Sequence, residues 1–135
     1  MKVADLKDER LDYWVECAEG NVHLGPIGST AERFCRDGMN DWWLTKTGHH
    51  VCGPCSGWPR QYSTDWALGG PIMERERISL ITATVNCGTA PSAWIANVLG
   101  HASPAAAGQK MLIAGMRAYL VKKYGDEVPE QESKC

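Results

Sequence analysis

The chain has 135 residues, 44% of them hydrophobic and 22% charged, and a formal net charge of -2. That length favours one domain with a core able to form without disulfide support. The near-neutral charge excludes a global attraction to nucleic acid or anionic membrane, and no apolar run approaches the roughly 20 residues of a membrane-spanning helix.

Met1 to Asp8 lack the apolar stretch of a secretory signal, so the expected location is the cytoplasm of the cell that makes the protein. A helix is predicted from about Lys7 to Glu19. Leu11, Trp14, Val15 and Ala18 recur at helical spacing on one face, Asp8 and Glu9 sit where the helix dipole favours acids, and Gly20 stands ready to end it.

Residues 21–61 form an irregular segment rich in glycine and proline, with no sustained period. Val22-His23-Leu24 reads as a short strand stopped by Gly25-Pro26, and Asp41 to Thr45 as another. Gly48 to Pro59 reads as a loop. With no export signal, the six cysteines are expected to be reduced thiols.

Tyr62 to Ile78 combine a hydroxyl pair, a carboxylate, an indole, a Gly-Gly-Pro turn and a run of alternating charge. Ser63 or Thr64 is placed to cap a short helix starting at Asp65. Gly69-Gly70 should interrupt that helix, and Pro71 should restart a helical turn. Arg77 to Val85 alternate and are β-branched, as in a half-buried strand. Ala93 to Val98 would be the antiparallel partner, joined through Asn86 to Pro91. A last helix is predicted from about Ala105 to Tyr124, with Leu112, Met116, Tyr119 and Leu120 on one face and Gly125 as its stop. Its small residues Ala114, Gly115 and Ala118 would let another backbone approach, and a homodimer or higher homo-oligomer is expected on that ground. The fold class is therefore α+β: an N-terminal helix, a small antiparallel sheet and a C-terminal helix packed on it. Residues 1–128 would make the domain and 129–135 a polar tail.

Three blocks carry a family resemblance: Met1-Lys2-Val3 with Leu11 to Val15 and Ala18-Glu19-Gly20; Tyr62 to Trp66 with Gly69 to Ile72 and Glu74-Arg75-Glu76; and Leu112-Ile113-Ala114 with Met116 to Tyr119 and Gly125 to Val128. Together they resemble the NinX family of small phage and prophage proteins. The resemblance implies an accessory protein acting inside an infected bacterium, with no established catalysis. Arg33 to Trp58, including His49-His50 and Cys52-Gly53-Pro54-Cys55, fall outside the shared pattern.

The signature suits a nucleotide-like ligand. A capped helix start offers backbone N–H groups to phosphate, Gly69 and Gly70 allow close backbone approach, and Trp66 offers a stacking face. Asp65 would accept hydrogen bonds from a ribose or base edge, while Arg75, Arg77 and Arg117 would meet phosphates. The structural alternative is that Ser63, Thr64 and Asp65 only cap, Trp66 only packs, and Glu74 to Arg77 form a solvated face. Arg117, set among small and apolar neighbours, would then pair with Glu76 or Asp65.

Cys52 and Cys55 have the spacing of half a zinc site, with Cys35, His49 and His50 as the available further ligands. No second such pair exists, and loop thiols without a special role are favoured. Motifs for phosphate-loop, zinc-protease or nucleophile-elbow chemistry are absent. The reading is a non-catalytic binding protein without cofactors. It would sequester a nucleotide-derived small molecule, such as a host defence signal, in a pocket lined by Tyr62, Ser63, Thr64, Asp65, Trp66, Gly69, Gly70, Arg75, Glu76 and Arg117. The alternatives are a module that inhibits a host protein and an accessory factor in phage DNA metabolism; the net charge makes nucleic acid an unfavoured partner.

Overall fold

The structure is a computed structural model that describes residues 1–26, 41–52, 58–83, 93–99 and 106–129. After a 3-10 turn at Val3–Asp5, helix α1 runs Asp8–Ala18, as its apolar stripe required. Strands β1 (Val22–Pro26), β2 (Asp41–Leu44) and β3 (His50–Cys52) follow. Then come helix α2 (Trp66–Arg75), strands β4 (Ile78–Ala83), β5 (Ala93–Val98) and β6 (Ala106–Gly108), and helix α3 (Met111–Tyr124).

The α+β class holds, but the one small sheet expected becomes two three-stranded antiparallel sheets, ordered β1-β2-β3 and β4-β5-β6. The first gains β3 from residues predicted to be loop. The Thr45–Gly48 turn closes that hairpin with Thr45 N–H donating to His49 O at 2.7 Å and Gly48 N–H to Thr45 O at 2.8 Å. The second gains β6 from residues predicted to begin the last helix. Ala96 pairs with Ala106 and Trp94 with Gly108. A Cβ on Gly108 would lie 2.8 Å from Ala114 N, so only glycine lets β6 run this close to α3.

Helix α3 packs on β4-β5-β6 and also touches α1, α2 and the 3-10 turn. Its buried residues Leu112, Ala114, Gly115, Met116, Ala118, Tyr119 and Leu120 lie on more than one face, as expected for an element enclosed on several sides. The small residues expected to admit a second copy instead admit the chain itself. Ala114 and Ala118 join Ala96 and Val98 in a compact cluster, and a Cβ on Gly115 would meet Met73 Sδ at 2.8 Å. Gly125, with φ +85, ends the helix as anticipated.

Trp14, Leu11, Val15 and Leu120 are buried in the main core with Val3 and Leu6. Each large side chain so buried contributes roughly 1.5–3 kcal/mol. The segment after α3 pairs there with the first residues: Val128 N–H donates to Met1 O, Val3 N–H to Asp126 O, and Val128 is itself buried. The first sheet docks on α1 through edge-on ring contacts, with Tyr13 5.1 Å from His23 and 5.2 Å from Trp43. Among the described residues no helix is long and apolar enough to cross a membrane.

Candidate functional site

The segment before α2 is held by an acidic ladder on α1. Asp12, Glu16 and Glu19 follow one another at helical spacing, beside the apolar stripe. Glu16 is fully buried and accepts five hydrogen bonds. Tyr62 OH (2.6 Å), Arg60 Nη2 (2.9 Å) and Asn21 Nδ2 (3.0 Å) donate to Oε1, and Arg60 N (2.9 Å) and Nε (3.0 Å) donate to Oε2. Burial and then this carboxylate push the Tyr62 phenol far up. The hydrogen bonds to Glu16 also raise the Arg60 guanidinium, which lies 4.3 Å over the Trp58 ring. One turn earlier, Asp12 Oδ1 accepts the Ser63 N–H at 2.8 Å. Burial raises the Asp12 carboxyl against the opposing hydrogen bonds from Ser63.

Tyr62 and Ser63 are therefore buried clamps. Asp65, not Ser63 or Thr64, caps α2, its Oδ1 accepting the Ala67 N–H at 2.9 Å. The helix then runs through Gly69-Gly70-Pro71 without the expected break. Proline at 71 removes one helical N–H, but Ile72 and Met73 lie buried in the core and hold the turn in place. Gly69 serves packing: a Cβ there would stand 2.6 Å from Tyr62 O and 2.7 Å from Leu112 Cδ2. Gly70 faces more open space, where a Cβ would stand 3.7 Å from Trp66 Cε3.

Arg75 and Glu76 are committed to other partners. Arg75 forms a forked pair with Glu19 (3.1 and 2.6 Å), and Tyr119 OH donates to the same carboxylate at 2.5 Å. Burial alone would raise Glu19, but these hydrogen bonds outweigh it and hold the carboxyl below its ordinary range. Glu76 bridges Arg75 (3.6 Å) and Lys122 (3.5 Å). Arg117 does not pair with Glu76 or Asp65. Its Nε donates to Leu6 O and its Nη1 to Ala107 O, each at 2.9 Å, and burial lowers its pKa.

What remains around the signature is a cleft of about 370 Å³ between the starts of α2 and α3, lined by Thr64, Trp66, Trp94, Gln109 and Lys110. Trp66 is 49% exposed, although an indole of this size gains from burial. Lys110 occupies the N-cap position of α3 without a side-chain cap, and no acidic residue stands in that first turn. The positive end of this helix borders the cleft, with no side-chain cap from Lys110. A second cleft of about 420 Å³ lies across the same Ser63-Thr64 wall, lined by Asp8, Glu9, Asp12, Trp58 and Gln61.

Of the ten predicted site residues, the structure brings Ser63, Thr64 and Trp66 to the cleft at α3. It places Arg75 in a separate shallow cleft with Glu74 and Arg77. Sequence reasoning misses Trp94 and Lys110 because they are distant along the chain and reach Trp66 only through the β5–β6 pairing and the turn into α3. Glu16 and Asp12 carry a signal, a second stripe at helical spacing, that the apolar stripe overshadows.

The candidate zinc ligands Cys35 and Cys55 lie outside the described residues, as does the Cys52 side chain. Among the described residues no group of three His, Cys, Asp or Glu side chains is placed to hold a metal. Cys17 is disulfide-bonded, contrary to the expectation of reduced thiols.

No curated protein matches the chain. A family model described as Bacteriophage P22, NinX, matches residues 2–123, a span that takes in all three resembling blocks except Met1 and the last residues of the third, and also residues 33–58. α1 with its acidic ladder, the signature segment, both clefts and all but the last residue of α3 fall within that match, and the chain belongs to the phage NinX family.

Proposed function

We propose that the protein is a phage-encoded, non-catalytic binder that sequesters a nucleotide-derived small molecule in the host cytoplasm. The cleft at the start of α3 carries this reading, because it joins two indoles to an uncapped positive helix end and a lysine. Trp66 and Trp94 would stack on a base. Lys110 and the first-turn N–H groups would hold phosphate, and Thr64 would offer its hydroxyl to the sugar. The start of α2 cannot play that part, since Asp65 already satisfies the Ala67 N–H and adds a negative charge.

Binding of this kind needs affinity and abundance rather than chemistry. Calorimetry with a panel of cyclic and linear nucleotides tests it. Saturable binding of at least one, weakened by Trp66→Ala, is expected; no binding by any would refute the reading.

A second reading, inhibition of a host protein, is favoured by one observation. Ile81 (53% exposed) and Leu99 (72% exposed) present apolar side chains at the β4–β5 pair, and such residues can anchor a protein interface. A host partner retained by the wild type and lost by Ile81→Asp, with nucleotide binding unaffected, would support it.

A further inference from the structure

Two clefts of opposite character share the Ser63-Thr64 wall. On one side stand Trp66, Trp94, Lys110 and the open end of α3. On the other stand Trp58, Gln61 and the carboxylates of Asp8 and Glu9, with Asp12 behind them. Trp66 is half exposed and can receive a flat ring, whereas Trp58 has Arg60 over its ring at 4.3 Å and Trp43 at 6.0 Å, so the acidic side would hold a ring chiefly through hydrogen bonds at its edge. Only one side welcomes phosphate, because the carboxylates across the wall repel it. A group entering the acidic cleft is favoured when it carries N–H donors and no negative charge.

We propose that the ligand is two-ended: a dinucleotide whose phosphate lies at Lys110 and α3, whose first base stacks at Trp66 and Trp94, and whose second, donor-rich base enters the acidic cleft. This rests on the nucleotide-binding reading above and narrows it. Guanine is the fitting second base, because its N1–H and exocyclic amine both point donors toward a carboxylate, whereas the corresponding ring nitrogen of adenine is an acceptor. Trp58 forms a fixed wall of that cleft, held by the Arg60 guanidinium over its ring, by Trp43 beside it, and by Glu16, which fixes Arg60.

The experiment is calorimetry with four probes: the linear dinucleotides GpG and ApA, and the mononucleotides GMP and AMP. The proteins are the wild type, Asp8→Asn/Glu9→Gln and Trp66→Ala. Asparagine suits position 8 because the backbone there has φ +52, a conformation asparagine tolerates. GpG is expected to bind at least about tenfold more tightly than ApA or either mononucleotide, a factor in the range of one added base hydrogen-bonded to a carboxylate. The double carboxylate variant should erase the advantage of GpG while leaving AMP binding unchanged, and Trp66→Ala should weaken every probe that binds. If GpG binds no better than GMP, or as well to the double variant as to the wild type, the two-ended ligand is refuted while nucleotide binding stands. If no probe binds, both readings fall together.

Discussion

The phenol of Tyr62 donates to Glu16 Oε1 at 2.6 Å across 46 residues of sequence, and that bond ties the signature segment to the first helix. Glu16 is fully buried, while its charge partner Arg60 keeps 39% of its side chain exposed. Replacing Glu16 with alanine leaves the Tyr62, Asn21 and Arg60 donors without their acceptor. The expected cost is about 3 kcal/mol, the low end for breaking a buried pair because water can reach Arg60. Glu16→Gln should cost less, since the amide oxygen still accepts. Urea denaturation of both variants checks the order.

Gly69 and Gly70 are adjacent in one helix yet should respond in opposite directions. At Gly69 a methyl would press on the Tyr62 carbonyl, which is backbone and cannot swing aside. Gly69→Ala is expected to destabilise by about 1–3 kcal/mol, as overpacking does. At Gly70 the nearest atom, Trp66 Cε3, is at ordinary contact distance. Gly70→Ala should stabilise by up to about 1 kcal/mol through helix propensity and reduced freedom of the unfolded chain. Thermal melts of the two variants distinguish the positions.

Glu19 and Asp12 should make opposite contributions as pH changes. The Glu19 pKa is lowered on folding by Arg75 and Tyr119, against burial, from an ordinary 4.5. Its stabilisation is therefore complete above that value and is lost as pH falls through the lower folded pKa. Glu19→Gln should cost stability at about pH 7, and that cost should shrink below about pH 4.5. Asp12 is raised by burial above 3.8, so its ionisation works against the fold as pH rises through the window above that value. Asp12→Asn should gain on the wild type as pH rises from about 4 to about 7. Denaturant midpoints taken across that range read both slopes.

The helices and most strands are legible in the sequence because their signals are local. Leu11, Trp14, Val15 and Ala18 mark α1, and the alternation from Ile78 marks β4. The start of α3 is not, because Ala105, Ala106 and Ala107 suit a helix by propensity, whereas Gly108 and the pairing of Ala106 to Ala96 draw the chain into β6. The glycine pair in α2 reads as a break because propensity alone disfavours it there. The core contacts of Ile72 and Met73, and the lack of room at Gly69 for any side chain, override that preference. In the site, Trp66 and Thr64 are visible from the signature. Lys110 and Trp94 are not, since they come beside Trp66 only once the second sheet has formed. Arg75, Glu76 and Arg117 read as phosphate ligands or pocket residues in sequence because nothing local reveals that Glu19, Lys122 and the Leu6 and Ala107 carbonyls take up their donors and acceptors.

Lys110→Glu should separate phosphate capture from stacking. The substitution reverses charge at the open end of α3, where Lys110 is exposed and makes no side-chain cap. Stability should change little, within about 0.5 kcal/mol, as for an exposed position away from packing. Nucleotide affinity should fall about tenfold or more, and the remaining binding should depend less on salt. Trp66→Ala should instead lose roughly 1–3 kcal/mol of binding, the range for a base stacked on an aromatic ring, with its salt dependence unchanged. Titrations at two salt concentrations distinguish the variants.

The most direct measurement follows the indole N–H resonances of the six tryptophans by NMR while a nucleotide is added. The expected result is a saturable shift of the Trp66 and Trp94 signals, with buried Trp14 and Trp43 unmoved. Saturable binding that leaves Trp66 and Trp94 in place, or the absence of any saturable shift across the nucleotide panel, would contradict capture at the start of α3.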